Sequence, residues 1–148
     1  MDFEAIRGGL QAAIPFNVHV GLEVAEIGPG VGVVVLPDAK ELRNHVGSQH
    51  AGAMFSAGEA ASGGAFVGAF AERLGEITPL AQSAEIRYRK IAQGPITATG
   101  NLSEDADELL QRLDADGTVQ FPVEVDLRNQ EGDTVAEMTV QWHVRKNG

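Results

Sequence analysis

Hydrophobic positions at the start of the chain recur every three or four residues, which predicts a short amphipathic helix. The pattern runs over residues 3–14 and is stopped by Pro15, because proline lacks the backbone N–H that a continuing helix needs. Two β-rich runs follow over residues 22–27 and 31–36, with a Gly-Pro-Gly turn between them. This arrangement predicts a β-hairpin.

A proline-free segment rich in alanine and glycine extends from Gly52 to Leu74 and predicts one long helix. Glycine costs about 1 kcal/mol relative to alanine inside a helix, so the glycines of this segment require a tertiary reason. Mostly small residues share one face of the helix, namely Met54, Gly58, Ala61, Ala65 and Gly68. Such a face permits the close approach of a sheet or a second helix, and it predicts that the helix is buried.

Beyond the long helix the hydrophobic period changes to two, which predicts strands. Four strands are predicted in this way, over residues 83–89, 96–102, 119–127 and 136–144. A short surface helix lies between the second and third of them, with Ser103 as its N-cap and Gly117 at its end. The predicted fold is therefore α+β, with a long helix on one apolar face of a six-stranded, largely antiparallel sheet. Nothing divides residues 1–148, and we expect a single domain.

Composition and charge exclude several classes of function. The chain has 148 residues and a formal net charge of −10, which disfavours nucleic acid as a partner because the phosphate backbone is repelled. No stretch approaches the ~20 apolar residues of a membrane span, and the acidic N-terminal segment is unlike a secretory signal. We therefore expect a cytoplasmic protein that does not associate with a membrane. The absence of cysteine excludes disulfides, thiolate ligands and a cysteine nucleophile.

The most informative residue for chemistry is Glu59, in the first half of the long helix. It shares a stripe of that helix with Phe55, Ser62 and Phe66, so its carboxylate is predicted to lie among aromatic side chains. Desolvation favours the protonated carboxyl group and makes the carboxylate a better base, as active sites require. A buried structural acid bonded to Asn44 or to a backbone amide is the alternative interpretation.

The start of the long helix offers a second chemical feature. The first N–H groups of a helix have no partner inside it, so those near Ala51 and Gly52 can receive negative charge that develops on a carbonyl oxygen. His45 and His50 are five positions apart, whereas two imidazoles on one helix face are four apart. We therefore predict neither a metal site nor a cofactor.

Five of these residues together resemble the motif of the hot dog fold thioesterases. The motif has an asparagine, then a histidine followed by two small residues at a helix start, then an acid nine positions after the histidine; here these are Asn44, His50, Ala51-Gly52 and Glu59. The likeness is to the phenylacetate-pathway and 4-hydroxybenzoyl-CoA type, and more closely to their DUF4442 relatives. It extends over nearly the whole chain and implies the hot dog fold, in which the sheet wraps a central helix.

The resemblance also implies a function and roles for individual residues. The function is hydrolysis of an acyl-CoA thioester to free acid and CoA, with Glu59 as general base or nucleophile. The Ala51 N–H then polarises the thioester carbonyl, and Asn44 orients water or the carbonyl. Independently of the resemblance, His50 is expected to brace the loop before the helix. The helix residues expected to contact the substrate are Gly52, Phe55 and Ser62. The family also pairs two sheets edge to edge around shared sites, so a homodimer or homotetramer is expected.

Two departures from the family pattern keep an alternative function open. Ala51 stands where a glycine is usual, and Gly63 replaces a hydroxyl residue often found one turn after the acid. A protein that binds acyl-CoA without hydrolysing it is therefore the second hypothesis. A hot dog dehydratase is disfavoured because those enzymes carry a proline-rich histidine segment before the helix, and this chain has no proline between Pro37 and Pro79.

Three of the eleven basic residues lie within four positions, at Arg87, Arg89 and Lys90. Period-two geometry places the two arginines on one side of their strand, with the lysine at its end. Such a group can hold the phosphates of CoA, and the alternative is an ordinary solvated strand face.

Overall fold

A six-stranded sheet and one long helix make up most of the molecule, and the computed structural model describes residues Met1–Gly148. The strands are β1 (Glu23–Gly28), β2 (Val31–Leu36), β3 (Ile77–Tyr88), β4 (Ile96–Leu102), β5 (Thr118–Arg128) and β6 (Thr134–Lys146). The α-helices are α1 (Phe3–Ala13), α2 (Pro15–Val20), α3 (Ala51–Ala69) and α4 (Ala106–Asp116). The strand order is β1-β2-β4-β5-β6-β3, and every neighbouring pair is antiparallel.

The predicted α+β architecture is confirmed, including the long helix on one face of the sheet. This is the hot dog arrangement that the resemblance implies. None of the helices combines the length and the apolar composition needed to cross a membrane.

The long helix α3 lies directly on the backbone of two neighbouring strands. Gly32 in β2 and Gly100 in β4 are paired across the strands. A Cβ atom on Gly32 would lie 2.5 Å from the carbonyl oxygen of Ala61 in α3, and one on Gly100 would lie 2.6 Å from the same oxygen. The predicted small-residue face of the helix is buried here. The helix can pack this closely against the sheet only because both strand positions lack a side chain.

Two helix predictions differ from the structure. The long helix ends at Ala69 rather than Leu74, and residues 71–76 form a 3-10 helix. The chain turns here because the fully buried Phe70 packs its ring 5.4 Å from that of Phe121. At the N-terminus Pro15 does stop α1, but it also begins α2, since a proline is tolerated at the first position of a helix.

Two boundaries were also predicted wrongly. The N-cap of α4 is Asp105 rather than Ser103, and the Asp105 carboxylate accepts the N–H of Glu108 at 3.1 Å. Strand β3 begins at Ile77, six residues before the predicted start. Its first half contains Pro79 and shows no clear alternation, which an edge strand tolerates because one of its sides has no strand partner.

Strand β3 is an open edge of the sheet. It pairs only with β6, and every residue from Pro79 to Glu85 is exposed. Leu80, in the middle of this stretch, keeps 61% of its surface exposed. The free N–H and C=O groups of such an edge can pair with another strand.

The other edge of the sheet, β1, is covered by the first helix. Gln11 in α1 donates to the carbonyl of Leu22 at 3.0 Å and accepts the N–H of Val24 at 2.6 Å. Arg7 donates to the carbonyl of Val24 at 3.0 Å. These side chains occupy backbone groups of Leu22 and Val24 that a further strand would need at this end of β1, and they fix α1 to the sheet.

The contact at Gly32 predicts a large effect of one added methyl group. The variant Gly32→Ala should lose about 1 to 3 kcal/mol of unfolding free energy, as overpacked cores do, because the new atom meets helix backbone. The matched control is Gly9→Ala in α1, where nothing lies within 4 Å of the added atom and a gain of up to about 1 kcal/mol is expected. Urea unfolding at one protein concentration measures both variants. An unfolding free energy of Gly32→Ala equal to that of the natural protein would contradict the packing argument.

Candidate active site

The carboxylate of Glu59 lies in the wall of a small apolar cavity. The cavity has a volume of about 150 Å³ and is bounded by α1, α2, α3, the first residues of β3, and Trp142 of β6. Glu59 and Asn17 are the two polar residues of its lining. Burial raises the pKa of Glu59 above its ordinary value of 4.5.

The Glu59 carboxylate has no hydrogen-bond or ion-pair partner within the chain, and desolvation alone shifts its pKa. The alternative of a structural acid bonded to Asn44 therefore has no contact to support it. Of its predicted stripe, Phe66 lines the same cavity, whereas Phe55 does not and is 37% exposed. An unpartnered, partly desolvated carboxylate is available as a base.

The predicted substrate contact Ser62 is fully buried and already bonded. Its hydroxyl donates to the backbone carbonyl of Glu59 at 2.7 Å and accepts the indole N–H of Trp142 at 3.2 Å. In this position Ser62 holds the tryptophan ring against the helix. It offers no free group to a ligand.

The side chain of Asn44 organises the loop before α3. Its amide oxygen accepts the N–H groups of Val46 and Ser48 at 3.1 and 3.0 Å, and its amide nitrogen donates to the Ser48 hydroxyl at 2.8 Å. The loop turns at Gly47, which has a φ of +81°. Asn44 thus uses its hydrogen-bonding groups within the loop that leads to the helix.

The N–H group of Ala51, in the first turn of α3, is free. His50 is the N-cap, and its Nδ1 accepts the N–H of Gly52 at 2.8 Å. The Ala51 N–H has no acceptor within the chain, while the Ala51 carbonyl accepts the hydroxyl of Tyr88 at 2.9 Å. Of the two N–H groups predicted from sequence, the one at Ala51 is therefore available to a ligand.

A groove of about 410 Å³ opens beside this N–H group. We call it the entrance groove; Ala51, Tyr88, Arg89 and Lys90 are among the residues of its wall. Burial raises the pKa of Tyr88, so the phenol keeps the proton that it donates to the helix start. The side-chain oxygen of Gln49, also at this groove, is buried without a protein partner.

The structure does not bring all of the predicted site residues together in one chain. Ala51 and Glu59 are eight residues apart on one helix, which corresponds to about 12 Å along its axis. They line different cavities. A thioester carbonyl bound at the Ala51 N–H would therefore lie out of reach of Glu59 in the same chain.

Arg87 and Arg89 both line a groove on the outer face of the sheet, together with Glu85 and Glu137, whereas Lys90 does not. Arg87 pairs across the strands with Glu137 and points away from α3, because the neighbouring pair of Ile86 and Met138 faces the helix. Each basic residue has an acidic partner: Arg87 with Glu85 at 2.8 Å, Arg89 with Glu137 at 3.1 Å and Lys90 with Asp133 at 3.6 Å. Arg89 and Lys90 reach the entrance groove, and Arg87 does not.

Trp142 and Asn17 belong to the Glu59 cavity but were not predicted as site residues. Period-two alternation indicates that Trp142 faces the core, but it does not show which helix residue the indole meets. Asn17 lies in α2, a helix that was not predicted. No group of three or more histidine, aspartate or glutamate residues in the structure is arranged to hold a metal ion.

Comparison with protein families gives a match over nearly the whole chain. The sequence model of DUF4442, a domain of unknown function, matches residues 4–144. The chain belongs to the DUF4442 family. No curated protein shows a significant match to it.

Solved structures similar to this DUF4442 protein include hot dog proteins described as thioesterases. A protein from Pseudomonas aeruginosa named as a probable thioesterase has a TM-score of 0.87 and 27% identity, over 97% of this chain and 95% of that one. The PaaI protein of the phenylacetic acid degradation operon of Escherichia coli has a TM-score of 0.72 and 17% identity, over 95% and 90%. A thioesterase from Staphylococcus aureus has a TM-score of 0.69 and 17% identity, over 89% and 99%.

The hot dog fold of the DUF4442 chain is shown by the high TM-scores over nearly complete chains. Its similarity to thioesterases rests on the P. aeruginosa structure alone, because the other two structures, at 17% identity, show only the fold.

Burial of the Glu59 carboxylate predicts a pH-dependent cost to the stability of the DUF4442 protein. Folding raises the pKa of this carboxyl group, so the folded state favours its protonated form. Below the unfolded-state pKa the group is protonated in both states and does not lower the unfolding free energy. As the pH rises through the folded-state pKa, the buried group becomes charged and this stability is lost. Glu59→Gln removes this loss. The gain in unfolding free energy of Glu59→Gln over the natural protein should therefore be larger at pH 7 than at pH 4.

Denaturant unfolding at both pH values tests this prediction. Glu131→Gln, in an exposed turn, is the matched control and should show no such gain. A Glu59→Gln variant whose stability relative to the natural protein is the same at pH 4 and pH 7 would contradict the assignment of a desolvated carboxylate.

Proposed function

We propose that this protein hydrolyses acyl-CoA thioesters to a free acid and CoA, with Glu59 as general base or nucleophile. The observation that carries the proposal is the Glu59 carboxylate, which is partly buried in an apolar cavity and has no partner within the chain. The similarity to the P. aeruginosa protein, named as a probable thioesterase, supports the same reaction class. We also propose that the protein acts in the cytoplasm, where CoA esters are formed and consumed.

The chemistry needs a base and a group that stabilises negative charge. The thioester carbonyl oxygen accepts the free Ala51 N–H, which stabilises the charge that develops on this oxygen. Glu59 takes a proton from water as the water oxygen bonds to the carbonyl carbon. The C–S bond then breaks, and the proton passes to the CoA thiolate. If Glu59 attacks directly, its oxygen bonds to the carbonyl carbon, the C–S bond breaks and the CoA thiolate leaves, which gives an acyl-enzyme anhydride. Water then cleaves the anhydride to the free acid and the Glu59 carboxylate, and the proton released passes to the thiolate.

Asn44 and His50 contribute to the reaction by shaping the start of the helix. Asn44 holds the loop through three short hydrogen bonds, and His50 caps the Gly52 N–H. These contacts leave the neighbouring Ala51 N–H exposed in a fixed direction. In this proposal both residues position that donor and do not contact the reacting atoms.

The separation of about 12 Å between Ala51 and Glu59 means that two copies of the chain must build each site. Two α3 helices that run antiparallel across a two-fold axis place Glu59 of one copy beside Ala51 of the other. The midpoint of such a crossing is residue 55, and Phe55 is a large apolar side chain with 37% of its surface exposed. The open edge of β3 offers the same two-fold pairing to the sheets. We therefore propose a homodimer as the active unit, alone or within a homotetramer.

CoA must be held by local positive charge, because the protein carries a net charge of −10. Arg89 and Lys90 lie at the entrance groove beside Ala51, and we propose that they contact the CoA phosphates. Their carboxylate partners are exposed, so exchanging them for phosphate costs little desolvation. Arg87 shares the outer face of the sheet with Glu85 and Glu137 and can assist only if the nucleotide extends to that face.

The role of Glu59 predicts a loss of turnover when its carboxylate is removed. Glu59→Gln should lower kcat for acyl-CoA hydrolysis by about 100-fold or more, since a positioned general base contributes 10²- to 10⁴-fold. Thiol release from a panel of short, medium, long and aryl acyl-CoAs measures it, and Glu131→Gln should retain full activity. Equal turnover by Glu59→Gln and the natural protein would refute the catalytic assignment.

The same assay separates hydrolysis from the alternative function. The second candidate, an acyl-CoA-binding protein without turnover, is favoured by the full use of the Asn44 amide within its own loop. It predicts saturable calorimetric binding of a non-hydrolysable acyl-CoA analogue and no thiol release. An absence of binding would exclude both functions.

The shared site predicts complementation between two inactive variants. Ala51→Pro removes only the free N–H, because proline is tolerated at the first helical position and His50 already has the extended conformation that precedes proline. Mixed with Glu59→Gln, it should form heterodimers with one intact site. In a random 1:1 mixture about a quarter of the natural activity should return, since half of the dimers are mixed.

Co-refolding of the two variants followed by the thiol-release assay measures this recovery. A mixture of Glu59→Gln with Glu59→Ala is the matched control and should stay inactive. If Ala51→Pro and Glu59→Gln folded and dimerised but recovered no activity together, each site would have to lie within one chain.

A further inference from the structure

The cavity beside Glu59 has walls that are held in place from several directions. Trp142 forms one wall, and its ring is fixed by the hydrogen bond to Ser62 and by stacking on Phe66 with centroids 5.6 Å apart. Both aromatic residues are buried. This wall cannot move away from a ligand without breaking a buried hydrogen bond.

Helix α1 closes another side of the cavity. Leu10 of α1 and Ile14, the residue that follows the helix, line the cavity. The neighbouring residue Gln11 makes two hydrogen bonds to the backbone of the β1 edge, at 3.0 and 2.6 Å. The helix is therefore tied to the sheet next to the residues that contact the cavity. A longer ligand could extend in this direction only by detaching α1.

Gly63 is the position in α3 that leaves the cavity open. It lines the cavity one turn after Glu59, and a Cβ atom added there would meet the Trp142 ring at 3.8 Å. This is ordinary van der Waals contact, so a methyl group fits without strain. The glycine is thus not required by close packing, in contrast to Gly58, where an added Cβ would lie 2.5 Å from the Met138 sulfur. The space above Gly63 is available to a ligand.

We infer that this cavity binds the acyl group, that it selects short apolar acyl chains, and that Gly63 is a specificity-determining residue. An apolar cavity of about 150 Å³ lined by leucine, isoleucine and phenylalanine takes up one benzene-sized molecule, which corresponds to about six carbon atoms. Negatively charged acyl groups are excluded, because the lining contains the Glu59 carboxylate and no basic residue. The inference rests on the proposed acyl-CoA hydrolysis and specifies its substrate class.

The first experiment compares chain lengths in the natural protein and in Gly63→Val. Butyryl-, hexanoyl-, decanoyl- and palmitoyl-CoA are assayed by thiol release. In the natural protein kcat/KM should fall at least about tenfold from hexanoyl to decanoyl, since each excess or missing methylene in an apolar pocket changes the rate about 10-fold or more. Gly63→Val should lower kcat/KM for hexanoyl-CoA by a similar factor and change kcat/KM for butyryl-CoA much less.

Two further variants control for folding and for helix effects. Gly63→Ala fits without strain and should fold at least as stably as the natural protein, while shifting the preference toward butyryl-CoA. Gly9→Ala adds the same methyl group to an exposed helix position with nothing within 4 Å, and it should leave the chain-length profile unchanged.

A second readout does not depend on turnover. Trp142 is the only tryptophan of the chain and lines the cavity, so its fluorescence reports occupation of this site. In the Glu59→Gln background, hexanoyl-CoA should change the emission in a saturable manner. CoA alone should not, and Gly63→Val should weaken the hexanoyl response at least about tenfold.

The outcomes distinguish the inference from the function on which it rests. Fluorescence binding of hexanoyl-CoA that is weakened by Gly63→Val, with no thiol released from any ester, would refute hydrolysis but support the acyl cavity. Hydrolysis with equal kcat/KM for hexanoyl- and palmitoyl-CoA, unchanged in Gly63→Val, would support hydrolysis and overturn the inference.

Discussion

The contact between the backbone of α3 and the paired glycines Gly32 and Gly100 determines the rest of the structure. Side chains normally keep a helix and a sheet well apart. Here the carbonyl oxygen of Ala61 lies where the side chains of two strand residues would begin. The helix therefore lies close to the sheet over its whole central part. Its side chains project into the narrow spaces on either flank.

The depth of the helix explains why Glu59 has an unusual environment. A carboxylate on a helix normally faces water, and at this depth one flank of α3 faces Trp142 and the N-terminal helices instead. No basic side chain reaches that flank, so the charge remains unpaired and burial raises the pKa. The property that makes the residue a candidate base is a consequence of helix–sheet packing.

Much of this arrangement could be predicted from sequence because it depends on local periodicity. The small-residue face of α3 and the position of Glu59 follow from helical spacing, and the later strands follow from alternation. The neighbours of Glu59 could not be predicted in the same way. Trp142 meets Gly63 across 79 positions, and that contact depends on strand order and on the depth of the helix. Pro15 was ambiguous for a different reason, since the same residue can end one helix and begin the next.

The separation of Ala51 and Glu59 shows a further limit of motif matching. Spacing along the chain places both residues on one helix, but only the rise per residue shows that they are too far apart to act on the same carbonyl group. A motif that is contiguous in sequence therefore does not define a contiguous site.

The two edges of the sheet differ, and this difference limits how many copies can associate through them. At β1, the side chains of Arg7 and Gln11 already occupy the backbone groups of Leu22 and Val24. At β3 the edge is free. A sheet with two open edges can add copies without end and grow into a fibre, whereas a sheet with a single open edge is saturated after one pairing. By occupying these groups, the side chains of the first helix oppose the addition of further copies at this edge.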